Sequence, residues 1–293
     1  NFPGQAANPI EIIIKNGVGK ESEIANYANE VGKIPGVISV GAPEVHGSDI
    51  RISAIHSMGV RTPEVTKVIH AIRDLKAPSG TMIGGVAADY TDSQDGISST
   101  LPWAFGWITL SVLILVFIFT GSIILPIKAV LLNVLSLAAT MGVLTWVFID
   151  GNLRWLVGDF TLTGSVDTSI VILIAVVVFG LSMDYELFLL SRIKELHDEG
   201  EDTEHAVALG LQRSGRIITA AAWILAVVFA AFVTSGVSSM KLIGFGIAFA
   251  VLLDATIVRA LLVPALMRIA GRWNWWAPKP LAKLHAKLGL AHD

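Results

Sequence analysis

The chain has 293 residues, of which 53% are hydrophobic and only 15% are charged, a composition typical of a membrane protein that carries a soluble portion. The formal net charge is −3 and the basic residues form no phosphate-tracking patch, which argues against a nucleic-acid partner. Cysteine is absent, which excludes disulfides, thiolate metal sites and cysteine nucleophiles.

Residues 1–98 are polar and mixed, and they predict a small α+β domain. Short β-like runs alternate with two stretches whose apolar residues recur at helical spacing. We expect strands at Ile10–Lys15, Val37–Ala42, Ile50–Ile55 and Thr81–Ala88, with helices at Glu21–Lys33 and Thr62–Lys76. The order β-α-β-β-α-β within so short a segment predicts a ferredoxin-like fold.

Residues 99–268 change character and predict a bundle of membrane-spanning helices. Each apolar run approaches or exceeds the roughly 20 residues that a helix needs to cross a hydrocarbon core. The five predicted spans are about 101–120, 125–149, 168–190, 217–237 and 242–267. Residues 269–293 form the remaining C-terminal tail.

Loop charge predicts the orientation of these spans. One side carries Lys128, Arg192, Lys194, Arg213, Arg216, Arg268, Arg272, Lys279, Lys283 and Lys287, whereas the short loops of the other side carry Arg154 and Lys241. The positive-inside rule places the larger set in the cytoplasm, so the tail is cytoplasmic and the α+β domain lies outside or in the periplasm. A domain exported without an apolar run before it suggests a fragment that lacks an upstream span, and we expect a multi-pass protein of the plasma membrane.

Asp184 and Tyr185 are the most informative residues of the third span. Fifteen residues without an ionisable side chain, Thr168–Ser182, precede them, and Asp184 lies about 12 Å along the helix from Arg192. A carboxylate at that depth is costly and usually serves a proton relay or an ion pathway. Adjacent helical residues point about 100° apart, so each should bond a facing helix. The alternative is a static structural hydrogen bond.

A second ionisable pair, Asp254 and Arg259, lies in the fifth span. Five positions on an α-helix leave two side chains off a common face, so we expect each to engage another helix, with Asp254 reaching towards Asp184. The alternative is that Arg259 extends to the interface and Asp254 fills a packing defect. Glu186 is left open, since it could face either a cavity or the inner leaflet.

Small residues in the spans predict places where helices touch, and they are Gly180, Ser182, Gly244, Gly246 and Ala248. The seven histidines show no metal-ligand spacing on one element. We therefore predict neither a metal nor an organic cofactor.

Several segments resemble the second half of the mycobacterial membrane protein large (MMPL) transporters of the resistance-nodulation-division superfamily. Gly180–Arg192 resembles the family's Asp-Tyr signature, and Leu253–Met267 with Trp273–Pro280 resembles its last helix and exit. Ser122–Phe148 and Ser214–Phe232 resemble other helices of that half. Gly84 with Gly85, Asp89 and Asp92 is a looser match to the end of the periplasmic porter domain.

The resemblance implies a transporter with two homologous halves, each with a porter domain, that uses the proton-motive force to move lipids or other hydrophobic molecules towards the cell envelope. It implies proton-relay roles for Asp184, Tyr185, Asp254 and Arg259. It also implies a matching Asp-Tyr pair in the other half, absent from this chain, that bonds crosswise to the pair seen here. The chain alone is not expected to transport.

Two other functional classes stay open from the residues. An intramembrane aspartyl protease would use Asp184 and Asp254 as a dyad, although neither acid lies in the sequence context that such enzymes show. A non-transporting protein of the sterol-sensing type would need no proton coupling. The transported substrate and the oligomeric state cannot be read from the sequence, and we predict a transporter rather than an enzyme.

Overall fold

The computed structural model describes residues 7–160 and 166–287. The start of the predicted N-terminal domain, residues 1–6, and the end of the predicted tail, residues 288–293, lie outside the described residues. The chain divides into two compact units, Asn1–Trp103 and Ala104–Asp293.

The first unit contains an antiparallel sheet with two helices of twelve residues. The elements in chain order are β1 (Ile10–Ile14), α1 (Glu21–Gly32), β2 (Val37–Val40), β3 (Glu44–His46), β4 (Asp49–His56), α2 (Pro63–Asp74) and β5 (Thr81–Gly84). The main sheet order is β2-β4-β1-β5. The short strand β3 pairs with the first residues of β4, which β2 does not reach. The predicted elements are therefore present, and β3 is an addition that its short, fully exposed sequence did not indicate.

Buried and more exposed residues alternate along the central strands β1 and β4, and the buried ones form the core of this unit. Ile10, Ile12 and Ile14 of β1 are buried on one face, opposite Ile52 and Ala54 of β4. Residues two apart on a strand point to the same face, so this pattern directs every isoleucine of the set towards the helices. The helices contribute their own apolar stripes, which are Ile24, Tyr27, Val31, Val65, Val68, Ile69 and Ile72.

The predicted strand Thr81–Ala88 is wrong in its second half. β5 ends at Gly84, and Gly85 has a positive φ of 98°, which glycine adopts without the steric cost of a side chain. A Cβ at Gly85 would lie 2.8 Å from the Pro9 carbonyl oxygen. The chain turns at this glycine and enters a helix at Val86, so Ala87 and Ala88 are helical core residues.

Five helices within the described residues are long and apolar enough to cross a membrane, as predicted. They are α3 (Val86–Thr120), α4 (Ile124–Phe148), α6 (Thr168–Asp198), α7 (Thr203–Phe232) and the composite helix Ser238–Trp275. The short helix α5 (Arg154–Val157) lies between α4 and α6. Observed helices extend past the apolar runs because polar residues near the membrane surface continue the helix: α6 runs on to Asp198, and α7 begins at Thr203 rather than near residue 217.

The composite helix contains three kinds of helical geometry. It comprises α8 (Ser238–Leu253), a π-helix (Asp254–Leu262), α9 (Val263–Ala270) and a 3₁₀ turn (Gly271–Trp275), and α10 (Lys279–Lys287) follows it. Pro264 gives a physical reason for the π-helix: it has no backbone N–H, and its ring crowds the carbonyl four residues earlier. The N–H of Val263 bonds instead to the carbonyl oxygen of Val258, five residues back.

A buried asparagine ties the end of the composite helix to α4. The Asn274 amide nitrogen donates to the carbonyl oxygens of Met267 and Gly271, each at 2.6 Å. Its side-chain oxygen accepts from the Lys128 ammonium, and the Ser122 hydroxyl donates to its backbone carbonyl. Because carbonyls at a helix end lack helical partners, this arrangement satisfies groups that would otherwise be desolvated without bonds.

Small residues of α8 let α7 and α4 approach it closely. A Cβ added at Gly244 would lie 2.5 Å from the Phe229 carbonyl oxygen and 2.7 Å from the Phe232 Cβ, and one at Gly246 would lie 3.0 Å from a Leu144 methyl. The prediction of close packing is thus confirmed at both glycines. At Gly180, in contrast, an added Cβ meets no described residue of this chain within 4 Å.

We expect Gly244→Ala to lower the free energy of unfolding of the bundle by about 1–3 kcal/mol, because backbone atoms of α7 would have to move. Thermal unfolding of the purified chain in detergent measures this loss. Gly142→Ala is the matched control, since an added Cβ there meets nothing within 4 Å and alanine favours the helix. An equal fall in the unfolding midpoint for both variants would contradict the packing role.

A two-pronged ion pair joins β1 to β4 on the exposed side of the sheet. Arg51 Nε and Nη2 donate to the Glu11 carboxylate at 2.6 and 2.7 Å, and Ser53 Oγ adds a bond at 3.2 Å. The hydrogen bond from Arg51 lowers the pKa of Glu11, against the smaller opposing effect of burial. A lowered folded-state pKa stabilises the fold above the ordinary glutamate pKa, and the effect is lost as the pH falls through the folded-state value.

Glu11→Gln should therefore reduce the stability of the sheet at pH 7 by about 0.5–1 kcal/mol and make its loss below about pH 4.3 less steep. Hydrogen exchange of the Ile12 and Ile52 amides in the whole chain measures both effects. In an Arg51→Met background the same change should cost nothing further. A full second loss there would show that Glu11 acts without Arg51.

Candidate functional site

The candidate site is a buried ion pair inside the helical bundle. Asp254 and Arg259, which are 5% and 2% exposed, form a salt bridge within the π-helix. The prediction that a spacing of five residues places the two side chains on different faces is wrong, because it assumed α-helical geometry throughout. In a π-helix the backbone bonds run from residue i to i+5 and each turn takes more residues than in an α-helix, so residues five apart lie much nearer to a common face.

Ser182 of α6 completes the pair. Its hydroxyl donates to Asp254 Oδ1 at 2.8 Å, and its backbone carbonyl accepts from Arg259 Nη2 at 2.6 Å. The carbonyl of a serine in mid-helix already accepts a helical bond, and its second lone pair serves the guanidinium here. The pair therefore does engage another helix, as predicted, but through Ser182 rather than Asp184.

Tyr185 also faces this cluster. The guanidinium carbon of Arg259 lies 4.9 Å from the centre of the Tyr185 ring, within the range of a cation–π contact. Tyr185 and Ser182 are three residues apart on α6, so they share one face of the helix. The predicted site residues Tyr185, Asp254 and Arg259 are thus brought together.

Asp184 lies elsewhere on α6. It is exposed, as are Leu173, Val176, Gly180 and Phe188, which recur at intervals of three or four residues and form a continuous stripe. No hydrogen bond or ion pair joins Asp184 to another described residue. Two residues rotate an α-helix by about 200°, so Asp184 points away from Ser182. Asp184 is separated from the face that carries the buried pair.

Glu186 is the residue that the sequence analysis left undecided. It is only 5% exposed, and it lies one helical turn beyond Ser182 on the same face. It interacts electrostatically with Arg259 and Asp254. The phase of the buried residues Ile174, Val178 and Ser182, each four apart, would have indicated this position had the inward face been known.

A small pocket with room for about one water molecule lies beside the ion pair. Its polar lining consists of Ser182, Tyr185, Asp254 and Arg259. The rest of the lining is apolar and comes from α6, α7 and the composite helix, and it comprises Val178, Leu181, Ala222, Ala250, Val251 and Ala255. Small alanines thus leave room next to charged groups, where water can bridge polar atoms.

Charge in a low-dielectric interior makes the pair sensitive to the loss of either partner. Removing Arg259 by substitution with methionine leaves a buried carboxylate without its cation, and we expect stability to fall by about 3–5 kcal/mol. The double change Asp254→Leu with Arg259→Met removes both charges and should recover a large part of that loss. Thermal unfolding in detergent tests this, and a double variant less stable than Arg259→Met alone would contradict the pairing.

The similarity to known proteins covers the helices that carry this site. The model of the MMPL family matches residues 58–285. A membrane protein of Streptomyces coelicolor is 38% identical over 291 residues, which are 99% of this chain and 40% of that protein. The trehalose monomycolate exporter MmpL3 of Mycobacterium tuberculosis is 36% identical over 310 aligned positions, covering 99% of this chain and 32% of the exporter.

A further relative is the heme uptake protein MmpL11 of Mycobacterium tuberculosis, which is 35% identical over 296 aligned positions, covering 96% of this chain and 30% of that protein. The chain therefore spans 30 to 40% of the length of these relatives. Since the family model matches residues 58–285, well over half of the sequence, this chain belongs to the MMPL family.

Proposed function

We propose that the chain supplies the C-terminal half of a proton-driven transporter of the resistance-nodulation-division type that exports lipids or other hydrophobic molecules towards the cell envelope. The observation that carries this proposal is the buried pair of Asp254 and Arg259 beside a small pocket, within a bundle of apolar helices. The named functions of two relatives support a hydrophobic or lipid-like substrate, because MmpL3 is a trehalose monomycolate exporter and MmpL11 is a heme uptake protein.

Protonation of Asp254 could couple proton binding at the ion pair to a rearrangement of the helices, as follows from the contacts of Arg259. While Asp254 is a carboxylate, Arg259 is held between it and the Ser182 carbonyl. A proton on Asp254 removes the charge attraction and frees the guanidinium, which then favours another arrangement of the helices. A pH gradient biases such a switch because the proton concentration differs between the two sides, and a membrane potential biases it through the work done on a charge that crosses the membrane.

Asp184 supplies the second part of the proposed relay. Its exposed stripe on α6 carries a carboxylate and the open position Gly180, a poor surface to present to lipid. We infer that this stripe faces the complementary Asp-Tyr pair of the other half. Tyr185, which contacts Arg259, lies next to Asp184 in sequence and links that interface to the buried pair.

The first unit fits the role of a porter domain outside the cytoplasm. Its strand order β2-β4-β1-β5, with a helix after β1 and another after β4, corresponds to the ferredoxin-like arrangement once β3 is set aside as an addition. We propose the domain limits 1–98, 99–268 and 269–293 on this basis. The basic residues of the loops support a cytoplasmic C-terminus in a plasma-membrane protein.

An intramembrane protease is the less favoured alternative. A catalytic aspartyl dyad needs two carboxyl groups that share a proton, whereas Asp254 is paired with Arg259 and Asp184 is exposed on a different face of α6. The relatives with named activities move substrates, which supports a protein that is not an enzyme. A non-transporting sensor remains as an outcome of the test below.

In the complete transporter, Asp184→Asn and Asp254→Asn should each lower proton-dependent lipid export by at least about tenfold, equal to about 1.4 kcal/mol, because neither amide can carry a proton. Export into the outer leaflet of reconstituted vesicles with an imposed pH gradient measures this. Glu199→Gln, at the exposed end of α6, is the control and should export normally. Wild-type export by both variants, or export that an uncoupler leaves unchanged, would overturn the proposal.

A further inference from the structure

Arg259 has one nitrogen without a partner in the described part of the chain. Nη2 contacts both Asp254 and the Ser182 carbonyl, whereas Nη1 is buried and makes no hydrogen bond. A guanidinium is a fork with donors on both terminal nitrogens, and a buried donor left unpaired forfeits the hydrogen bonds that it made in water. The arrangement therefore has one unused binding direction, on a side chain that is 2% exposed.

Glu186 is a buried carboxyl group one helical turn beyond Ser182 on the same face of α6. Helical side chains lean towards the N-terminus of their helix, so Glu186 reaches back over the turn that contains Ser182, the residue to which Arg259 already bonds. It interacts electrostatically with Arg259. Its carboxyl group makes no hydrogen bond to any described residue, although it is only 5% exposed.

Charge balance favours a state in which one of the two carboxyl groups is protonated and the other is ionised. The groups that interact electrostatically with Glu186 are Arg259 and Asp254 of the π-helix, and from α6 itself Tyr185 contributes the neutral ring beside Arg259. Two carboxylates and one guanidinium would leave a net negative charge in the bundle, which the apolar surroundings disfavour. One proton on either carboxyl group makes the cluster neutral.

We propose that Glu186 is the second, alternating partner of Arg259 and a proton-carrying residue of the coupling site, an inference that rests on the proposed function. In the arrangement described here, Asp254 is the ionised partner of Arg259 and Glu186 holds the proton. In the alternate arrangement the O–H bond of Glu186 breaks, its proton leaves to water, and its carboxylate pairs with Nη1 of Arg259. Asp254 then takes up one proton from water on the opposite side of the membrane, so the cluster stays neutral in both arrangements and one proton has crossed.

The variant that tests this is Glu186→Gln in the complete transporter. Glutamine matches the protonated glutamic acid in size but cannot release a proton, so the fold and the thermal unfolding midpoint should stay as in wild type. Proton-driven export should fall by at least about tenfold, as for other essential proton-transfer groups. Glu186→Asp restores a carboxyl group and should recover part of the export with an altered pH profile, which a purely structural role would not produce. Glu199→Gln is the matched exposed control.

Infrared spectroscopy of protein labelled with ¹³C-glutamate gives a readout that does not depend on transport. Wild-type protein at neutral pH should show a protonated-carboxyl stretch that the label shifts and that Glu186→Gln removes. In Asp254→Asn, Arg259 has only Glu186 to pair with, so the same band should disappear there too. This second variant keeps the test decisive if Glu186→Gln fails to fold.

The outcomes separate the two proposals. If Asp254→Asn abolishes export while Glu186→Gln exports normally, the role of Glu186 is overturned and the proposed function stands. A protonated-glutamate band that persists in Asp254→Asn also overturns the alternating pairing. If export by wild type is insensitive to an uncoupler and both variants export normally, the proposed function itself fails.

Discussion

The interior of the bundle is constrained by the cost of burying charge, because a charged group removed from water needs a counter-charge and a full set of hydrogen bonds. Asp254, Arg259 and Ser182 satisfy most of that requirement between two helices. The π-helix, the Tyr185 ring, Glu186 and the small pocket all lie at or beside these three residues. Breaking such a pair is far more costly than never having built it, because the remaining charge is stranded. This buried pair among apolar helices is the feature on which the proposed coupling role rests.

Much of the fold could be predicted because apolar periodicity and span length are local properties. The alternating isoleucines of β1 and the long apolar runs identified their elements directly. The end of β5 was missed because Val86, Ala87 and Ala88 suit a strand as well as a helix, and only the positive φ of Gly85 separates the two readings. Helix ends were missed where polar residues continue a span beyond the hydrocarbon.

The site was predicted by residue type but not by geometry. Depth in an apolar segment identified Tyr185, Asp254 and Arg259, but not which side of α6 faces the bundle. That rotational phase is a tertiary property, so the sequence could not decide between Asp184 and Glu186. The structure turns Asp184 outward and Glu186 inward, although only one residue separates them.

The π-helix also changes how this span should be compared with others. Each turn of π geometry takes up one residue more than an α turn, which shifts the faces that follow by about 100°. A helical wheel drawn with one constant angle through Gly244 and Met267 therefore misassigns the faces at one end. For the same reason, removing one residue between Asp254 and Arg259 would leave the span long enough for the bilayer while changing which side chains meet across it. In this segment the spacing of the residues, rather than their hydrophobicity, determines which side chains face the neighbouring helices.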